Sequence, residues 1–265
     1  MLIDCRFGNN SVPTYDLLDL PGGEGGYGGG MCNYEGSSPI LINCTFNENL
    51  AGGGGGILNC LECNPTLTDC IFSNNTAEFG GGILNYMSSP KVTNCTFAAN
   101  FADFGRGMIN LQSSSPMLTN CILWDGPDEV QNYDSTIMIT YSDVQGSWPG
   151  ESNISTDPCF ADMENGDYHL KSQAGRWDPN NQSWVQDANT SPCIDAGNPS
   201  SPIGYEPFPN GGRVNMGAYG GAGQASKSYF GAEPCEAIIA GDINGDCKVD
   251  FTDFAIMALH WQQEQ

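Results

Sequence analysis

The sequence predicts an all-β chain: a parallel β-helix whose coils of 25–26 residues stack on one another, followed by a small C-terminal helical calcium-loop module. Three observations predict it. Cys44, Cys70, Cys95 and Cys121 recur at 26, 25 and 26 residues. Asn33, Asn59, Asn85 and Asn110 each end a glycine-rich run and recur at 26, 26 and 25. Asn10, Asn49, Asn75 and Asn100 sit five residues after Cys5, Cys44, Cys70 and Cys95. Three independent series holding one period mark a solenoid.

Each coil is built from short strands. In Pro65–Phe72, Leu67 points one way and Thr68 the other, and Cys70 and Phe72 follow Leu67; that alternation is the period of a strand. A second apolar piece (Ile57-Leu58, Ile83-Leu84, Met108-Ile109) follows each glycine cluster. Two or three strands of four to six residues, joined by turns of Gly, Asn and Ser, account for one coil. Stacked coils lie about 4.8 Å apart, so equivalent residues form columns. An asparagine column bonds amide to amide between coils and belongs to the scaffold. The runs Gly28–Gly30 and Gly52–Gly56 recur with the coil and precede no helix, which removes a nucleotide-loop reading. Cysteines about 4.8 Å apart are too far for the roughly 3.5–4.5 Å Cβ separation of a disulfide, so the column is expected to hold buried thiols.

The chain of 265 residues has 31 acidic and 8 basic residues, a formal charge of −23. That field repels nucleic acid and anionic membrane surfaces, and it favours calcium. No apolar run is long enough to span a membrane. Outside the column, Cys159 with Cys193 and Cys235 with Cys247 suit disulfides in an oxidising compartment. Cys60-Leu61-Glu62-Cys63 is a lone CxxC without the second pair that zinc requires. The chain opens inside a coil, at Leu2–Phe7, with no signal peptide. It is read as an N-terminally truncated piece of a secreted or cell-surface protein, and as a monomer.

Four segments are expected. Residues 1–145 form the coils. The interval from Cys5 to Cys44 is 39 residues, and its excess, between Asn10 and Asn33, loops out with Tyr15, Asp16 and Asp19 as contact residues. Residues 146–225, aperiodic and carrying Trp148, Tyr168, Trp177 and Trp184, cap the stack. Residues 226–239 are a linker and 240–265 a calcium-binding repeat.

That repeat carries the clearest chemistry. Asp242, Asn244, Asp246, Asp250 and Asp253 place oxygen side chains at loop positions 1, 3, 5, 9 and 12, and Lys248 at position 7 offers its carbonyl. This is the spacing that wraps Ca²⁺, and Asp253–Leu259 reads as an amphipathic exiting helix.

The coils, with the motifs YSDVQG, GDYHL, SPCIDAG and GGRVNMGAYGG, resemble right-handed parallel β-helix proteins of planctomycete-type bacteria, related in fold to the pectate-lyase-like superfamily. The resemblance covers roughly residues 1–225 and carries more about fold than about activity. The calcium loop resembles a dockerin repeat, which implies a cohesin-like protein partner. It departs from that pattern in having Cys247 at position 6 and a single loop.

The fold resemblance implies two functions. One is a carbohydrate-binding or adhesive module that stacks a polysaccharide or cell-surface glycan on Tyr34, Tyr86 and phenylalanines. The alternative is a polysaccharide-degrading enzyme, because pectate-lyase-like β-helices cleave uronic-acid polymers with calcium and a basic residue, or hydrolyse them with paired aspartates. The coils carry only Arg6, Lys91 and Arg106 as cations, at three different repeat positions, with Asp69 and Asp103 as carboxylates near strand ends. Neither His169 nor His260 falls in the coils. No catalytic set is assembled from these, so the binding reading is preferred and the catalytic residues are left unassigned.

Overall fold

The computed structural model describes residues 1–12, 26–229, 243 and 249–261, the last three as backbone. Three parallel sheets wind around one axis. Sheet 1 contains Leu2–Ile3, Ile40–Ile42, Thr66–Thr68, Lys91–Thr93, Met117–Thr119 and Met138–Thr140. Sheet 2 contains Arg6–Gly8, Thr45–Asn47, Ile71–Ser73, Thr96–Ala98, Ile122–Trp124 and Asp143–Val144. Sheet 3 contains Met31–Tyr34, Ile57–Cys60, Ile83–Tyr86, Met108–Leu111 and Val130–Tyr133. A short parallel pair, Thr76–Phe79 with Phe101–Phe104, adds a fourth side to two coils.

The strands run two to four residues, shorter than the four to six that alternation suggests. The reason is the corners. Between sheets 1 and 2 each coil turns through a left-handed residue, and Asp4, Asn43, Asp69, Asn94 and Asn120 have φ between 48° and 56°. Asn and Asp are among the few non-glycine residues that tolerate this region. Before sheet 3 the same conformation falls on glycine: a Cβ at Gly54, φ 64°, would run into the Ile57 carbonyl.

Registers pair like with like, as in Asn33↔Asn59, Asn85↔Asn110 and Phe46↔Phe72. The interior is therefore a set of columns. Leu41, Leu67, Val92, Leu118 and Ile139 project inward from sheet 1, and Ile57, Ile83 and Met108 from sheet 3. Phe7, Phe46, Phe72 and Phe97 stack from sheet 2 at 4.7, 4.9 and 4.7 Å, nearly coplanar. Those distances equal the strand spacing, so the rings gain offset contact at every coil.

The polar columns are continuous. Asn33 donates to Asn59, Asn59 to Asn85, Asn85 to Asn110 and Asn110 to Asn132, at 2.8–2.9 Å. A second ladder runs from Asn10 through Asn49, Asn75 and Asn100 to Asp125, also at 2.8–2.9 Å. Its amides also reach back, Asn75 to the Phe46 carbonyl and Asn100 to that of Phe72, so both protons of each carboxamide are used. In sequence Asp125 and Glu129 interrupt the repeat. In the fold Asp125 occupies the next ladder position and the coil continues through Val130–Tyr133.

The column cysteines Cys44, Cys70, Cys95 and Cys121 are buried free thiols. The pairing expected of Cys159 and Cys193 is corrected, since both are free thiols. Cys193 Sγ instead donates to Asp143 Oδ2 at 3.1 Å, because burial next to that carboxylate offers the thiol an acceptor. Cys235 and Cys247 lie outside the described residues, as do Tyr15, Asp16 and Asp19 of the expected inserted loop.

The chain beyond residue 145 takes two positions. Trp148 packs against the end of the interior column. From Phe160 onward the chain lies on the outer face of sheet 2, where Phe160, Tyr168, Leu170, Cys193, Ile194 and Met216 enclose Ala98 and Ile122. Backbone contacts anchor it: Ala218 N donates to Thr96 Oγ1 at 3.0 Å and Gly217 N to the Asn120 carbonyl at 2.8 Å.

Candidate functional site: a polar cleft on the flank of the solenoid

Where this flanking segment departs from sheet 2, it leaves a cleft of about 360 Å³. One wall is the solenoid, with Arg6, Thr45, Asn47, Glu48, Ser73 and Asn74. The other is the segment that carries Glu164, Asn165, Gly166, Tyr168 and Tyr219. The solenoid side is ordered by Asn47, whose Oδ1 accepts from Ser73 Oγ at 2.8 Å and from Asn74 Nδ2 at 3.3 Å. Asn74 and Glu48 both stand at left-handed corners, φ 54° and 55°, which turn their side chains out of the stack.

The other wall is held from behind. Glu164 lies in the single turn Met163–Asn165, capped by Asp162, which accepts from Asn165 N, and ended by Gly166 at φ 81°. Tyr168 meets Phe160 edge to face at 5.4 Å. Tyr219 stacks on His169 at 3.7 Å. His169 is fixed in turn by Asp167, 2.6 Å from Nδ1, and Asp167 is shared with Arg176 at 3.4 Å. Burial raises the pKa of both Tyr168 and Tyr219, so each phenol stays protonated. The Tyr168 hydroxyl is buried against Ser73 and Asn74, which stabilise it from the solenoid side.

Chemically the cleft offers amides, hydroxyls, one guanidinium, two carboxylates and two phenol rings. That mixture suits a ligand with many hydroxyls and alternating polar and apolar faces.

Of the residues singled out in sequence, Arg6 lines this cleft. The others are dispersed. Lys91 is exposed in sheet 1, and Arg106 donates to the Asp125 carbonyl at 3.1 Å and lies over the Phe101 ring. Asp69, raised to about 6 by burial, sits at the sheet 1–sheet 2 corner, whereas Asp103 is exposed in the Phe101–Phe104 strand. Tyr34 and Tyr86 share an outer column of sheet 3, away from the cleft. Glu48, Asn74, Glu164, Tyr168 and Tyr219 were not legible as site residues. Tyr168 and Tyr219 do fall in the GDYHL and GAYGG motifs, but nothing local shows that those motifs face the first coils.

In the expected calcium loop, Asp242, Asn244, Asp246 and Lys248 lie outside the described residues, as does most of the linker. Asp253 is buried at 2% exposure and accepts from Ile243 N at 2.7 Å and Asp250 N at 2.8 Å. Asp250 accepts from Thr252 N at 2.7 Å at the start of the helix Phe251–Trp261. The backbone amides of Ile243 and Asp250 thus both donate to the carboxylate of Asp253. Among the described residues no group of three or more His, Cys, Asp or Glu is placed to hold a metal, and no helix is long and apolar enough to cross a membrane.

Residues 1–145 match the family described as right handed beta helix region. The chain belongs to that family. Residues 130–197 also match a family described as disaggregatase related, across the last coils and the first part of the flanking segment. No curated protein and no solved structure matches the chain. In the β-helix so identified, the cleft lies where the repeated coils meet the flanking segment.

Proposed function

We propose that this β-helix is a secreted or cell-surface carbohydrate-binding or adhesive module, and that its glycan is held in the flank cleft. The observation that carries the reading is the cleft itself. It has a polar lining with two tyrosines. Sugars are bound by amide, carboxylate and guanidinium bonds to hydroxyls, with aromatic faces against the ring carbons. The stacked register makes the solenoid wall rigid, so little order need be imposed on binding.

The segment 242–253 is proposed to bind Ca²⁺ as a dockerin-like repeat and to tether the module to a cohesin-like protein. Asp242, Asn244, Asp246, Asp250 and Asp253 would supply side-chain oxygens and Lys248 its carbonyl. The ion would stiffen the loop and its exiting helix.

The test is retention of the full chain on a panel of immobilised polysaccharides, with a parallel assay for new reducing ends and unsaturated uronates. Retention without cleavage is expected. No retention on any polymer removes the reading, and cleavage lost in a Glu48→Gln or Glu164→Gln variant replaces it with a polysaccharide-degrading enzyme. Calorimetry with calcium tests the tether; absence of heat up to millimolar metal removes it.

A further inference from the structure

The segment Cys60-Leu61-Glu62-Cys63 forms the corner after the sheet 3 strand Ile57–Cys60, and both cysteines are free thiols. Leu61 and Glu62 are left-handed, φ 59° and 63°. Two such residues in succession make a tight turn. Turns of this kind hold their end Cα atoms within about 7 Å, and a disulfide spans about 4.4–6.8 Å. Cys63 Sγ lies 3.0 Å from the Cys60 carbonyl oxygen, so the sulfur is folded back onto the other cysteine. Burial, and then the neighbouring Cys32 and Cys63 thiols, push the Cys60 thiol up to about 11.

Both cysteines break their columns. Cys60 stands in register between Tyr34 and Tyr86, in a column that Leu111 and Tyr133 continue. Cys63 stands in a column of serines: Cys63 N donates to Ser88 Oγ, Ser88 N to Ser114 Oγ and Ser114 N to Ser135 Oγ, each at 3.1 Å. The relay ends at Cys63, because a thiol is a weak acceptor, and Ser37 N turns to the Tyr34 carbonyl at 3.4 Å. The scaffold by itself therefore favours serine at this position. Cysteine also fills the interior, as Cys44, Cys70, Cys95 and Cys121, but those four share one position of the coil. Here two exceptions fall at the two ends of a single turn.

We infer that Cys60 and Cys63 are a redox pair, free thiols under reducing conditions and a disulfide that staples this corner under oxidising ones. The inference is independent of what the cleft binds. The oxidant is a small-molecule disulfide. The Cys63 thiolate attacks one of its sulfurs, forming a mixed disulfide and releasing one thiolate. Cys60 then attacks Cys63 Sγ, the mixed bond breaks and the second thiolate leaves. The released thiolates take up the protons lost by Cys63 and Cys60, so one disulfide is reduced to two thiols as one forms in the chain. Cys60 is 1% exposed and Cys63 is fully buried, so exchange proceeds through local opening of the corner.

The full chain, both native and refolded from denaturant, is equilibrated at about pH 8 with reduced or oxidised glutathione, then alkylated and peptide-mapped. A link between Cys60 and Cys63 is expected in oxidised glutathione and none in reduced, with Cys44, Cys70, Cys95 and Cys121 free in both. The unfolding midpoint is expected to be about 3–6 °C higher in the oxidised sample. Cys63→Ser restores the column hydroxyl, so it should fold and lose that difference. Cys60 and Cys63 unlinked in oxidised glutathione in both samples overturns the inference; the refolded sample keeps slow access to a buried pair from being read as its absence. A link from either residue to Cys32 or any other cysteine overturns it too, as does a midpoint difference that is absent from the wild-type chain or persists in Cys63→Ser.

Discussion

Asn100 donates to Asp125 Oδ1 at 2.9 Å, so a column of amides ends on an acid. Each asparagine below must give a proton upward and accept one from beneath, which a carboxamide does and a carboxylate cannot. At the last position only acceptance is required, and Asp125 Oδ1 receives both Asn100 N and Nδ2. Its other oxygen is buried beside Glu129 Oε2, where the protonated Glu129 carboxyl donates to Asp125. Both close on Gly107, where an added Cβ would come within 3.0 and 3.1 Å of them. Glu129 Oε1 accepts from the amides of Asp125 and Gly126, which locks the pair in place.

This pair makes stability depend on pH. Burial and the neighbouring carboxylate push Glu129 up to about 10, and burial pushes Asp125 up to about 7 against the pull of Arg106. The native state then holds protons that the unfolded chain has released, so stability is complete below the ordinary carboxylate range near pH 4 and falls as pH rises toward the native values. Asp69, Asp143 and Glu206, raised to about 6, 6 and 7, act in the same direction. Denaturant unfolding at a series of pH values should show stability falling from about pH 5 to about pH 9, by up to roughly 1.4 kcal/mol per pH unit for each proton involved. Glu129→Gln should flatten the upper part of that decline, and an unchanged slope in the variant would show that Glu129 does not hold the proton.

Within the ladder, Asn75→Ala removes the acceptor of Asn49 N and Nδ2 and the donor to Asn100 Oδ1 and the Phe46 carbonyl. Leaving such groups buried and unpaired should cost about 3 kcal/mol in chemical denaturation. Asn75→Asp keeps the acceptor but loses the donor and adds a buried charge, and it should cost at least as much. A loss under about 1 kcal/mol for the alanine variant would mean that water repairs the column.

The thiols separate by position. Cys32 is exposed, whereas Cys44, Cys70, Cys95 and Cys121 are buried, and burial pushes Cys121 up to about 12. A protonated, enclosed thiol is a poor nucleophile. Timed alkylation of the native chain followed by peptide mapping should label Cys32 well before these four, which become reactive only on unfolding. Early labelling of Cys70 or Cys95 would contradict the stacked register.

The solenoid was legible because its cause is periodic. Phe46, Phe72 and Phe97 repeat in sequence for the same reason that their rings stack, so the period reports the geometry directly. The ladder's end was not legible, because Asp125 satisfies the column with a different residue type and reads in isolation as a break. The cleft was less legible still. Arg6 and Glu164 are far apart in the chain, and only the docking of the flanking segment on sheet 2, fixed by contacts such as Ala218 with Thr96, brings them together. Tyr34, Tyr86 and the outer phenylalanines drew notice as exposed aromatics, yet the built concavity is on another sheet.

The most direct measurement is the affinity of the best-retained glycan for the wild-type chain and for an Arg6→Ala, Asn74→Gly variant, with unfolding midpoints recorded in parallel. Glycine keeps the left-handed corner that Asn74 occupies, and Arg6 is exposed and unpaired, so the fold should be unaffected. Binding in the flank cleft predicts an affinity loss of about tenfold or more at an unchanged midpoint. Undiminished affinity in a fully folded variant would place the ligand elsewhere on the solenoid and contradict the account.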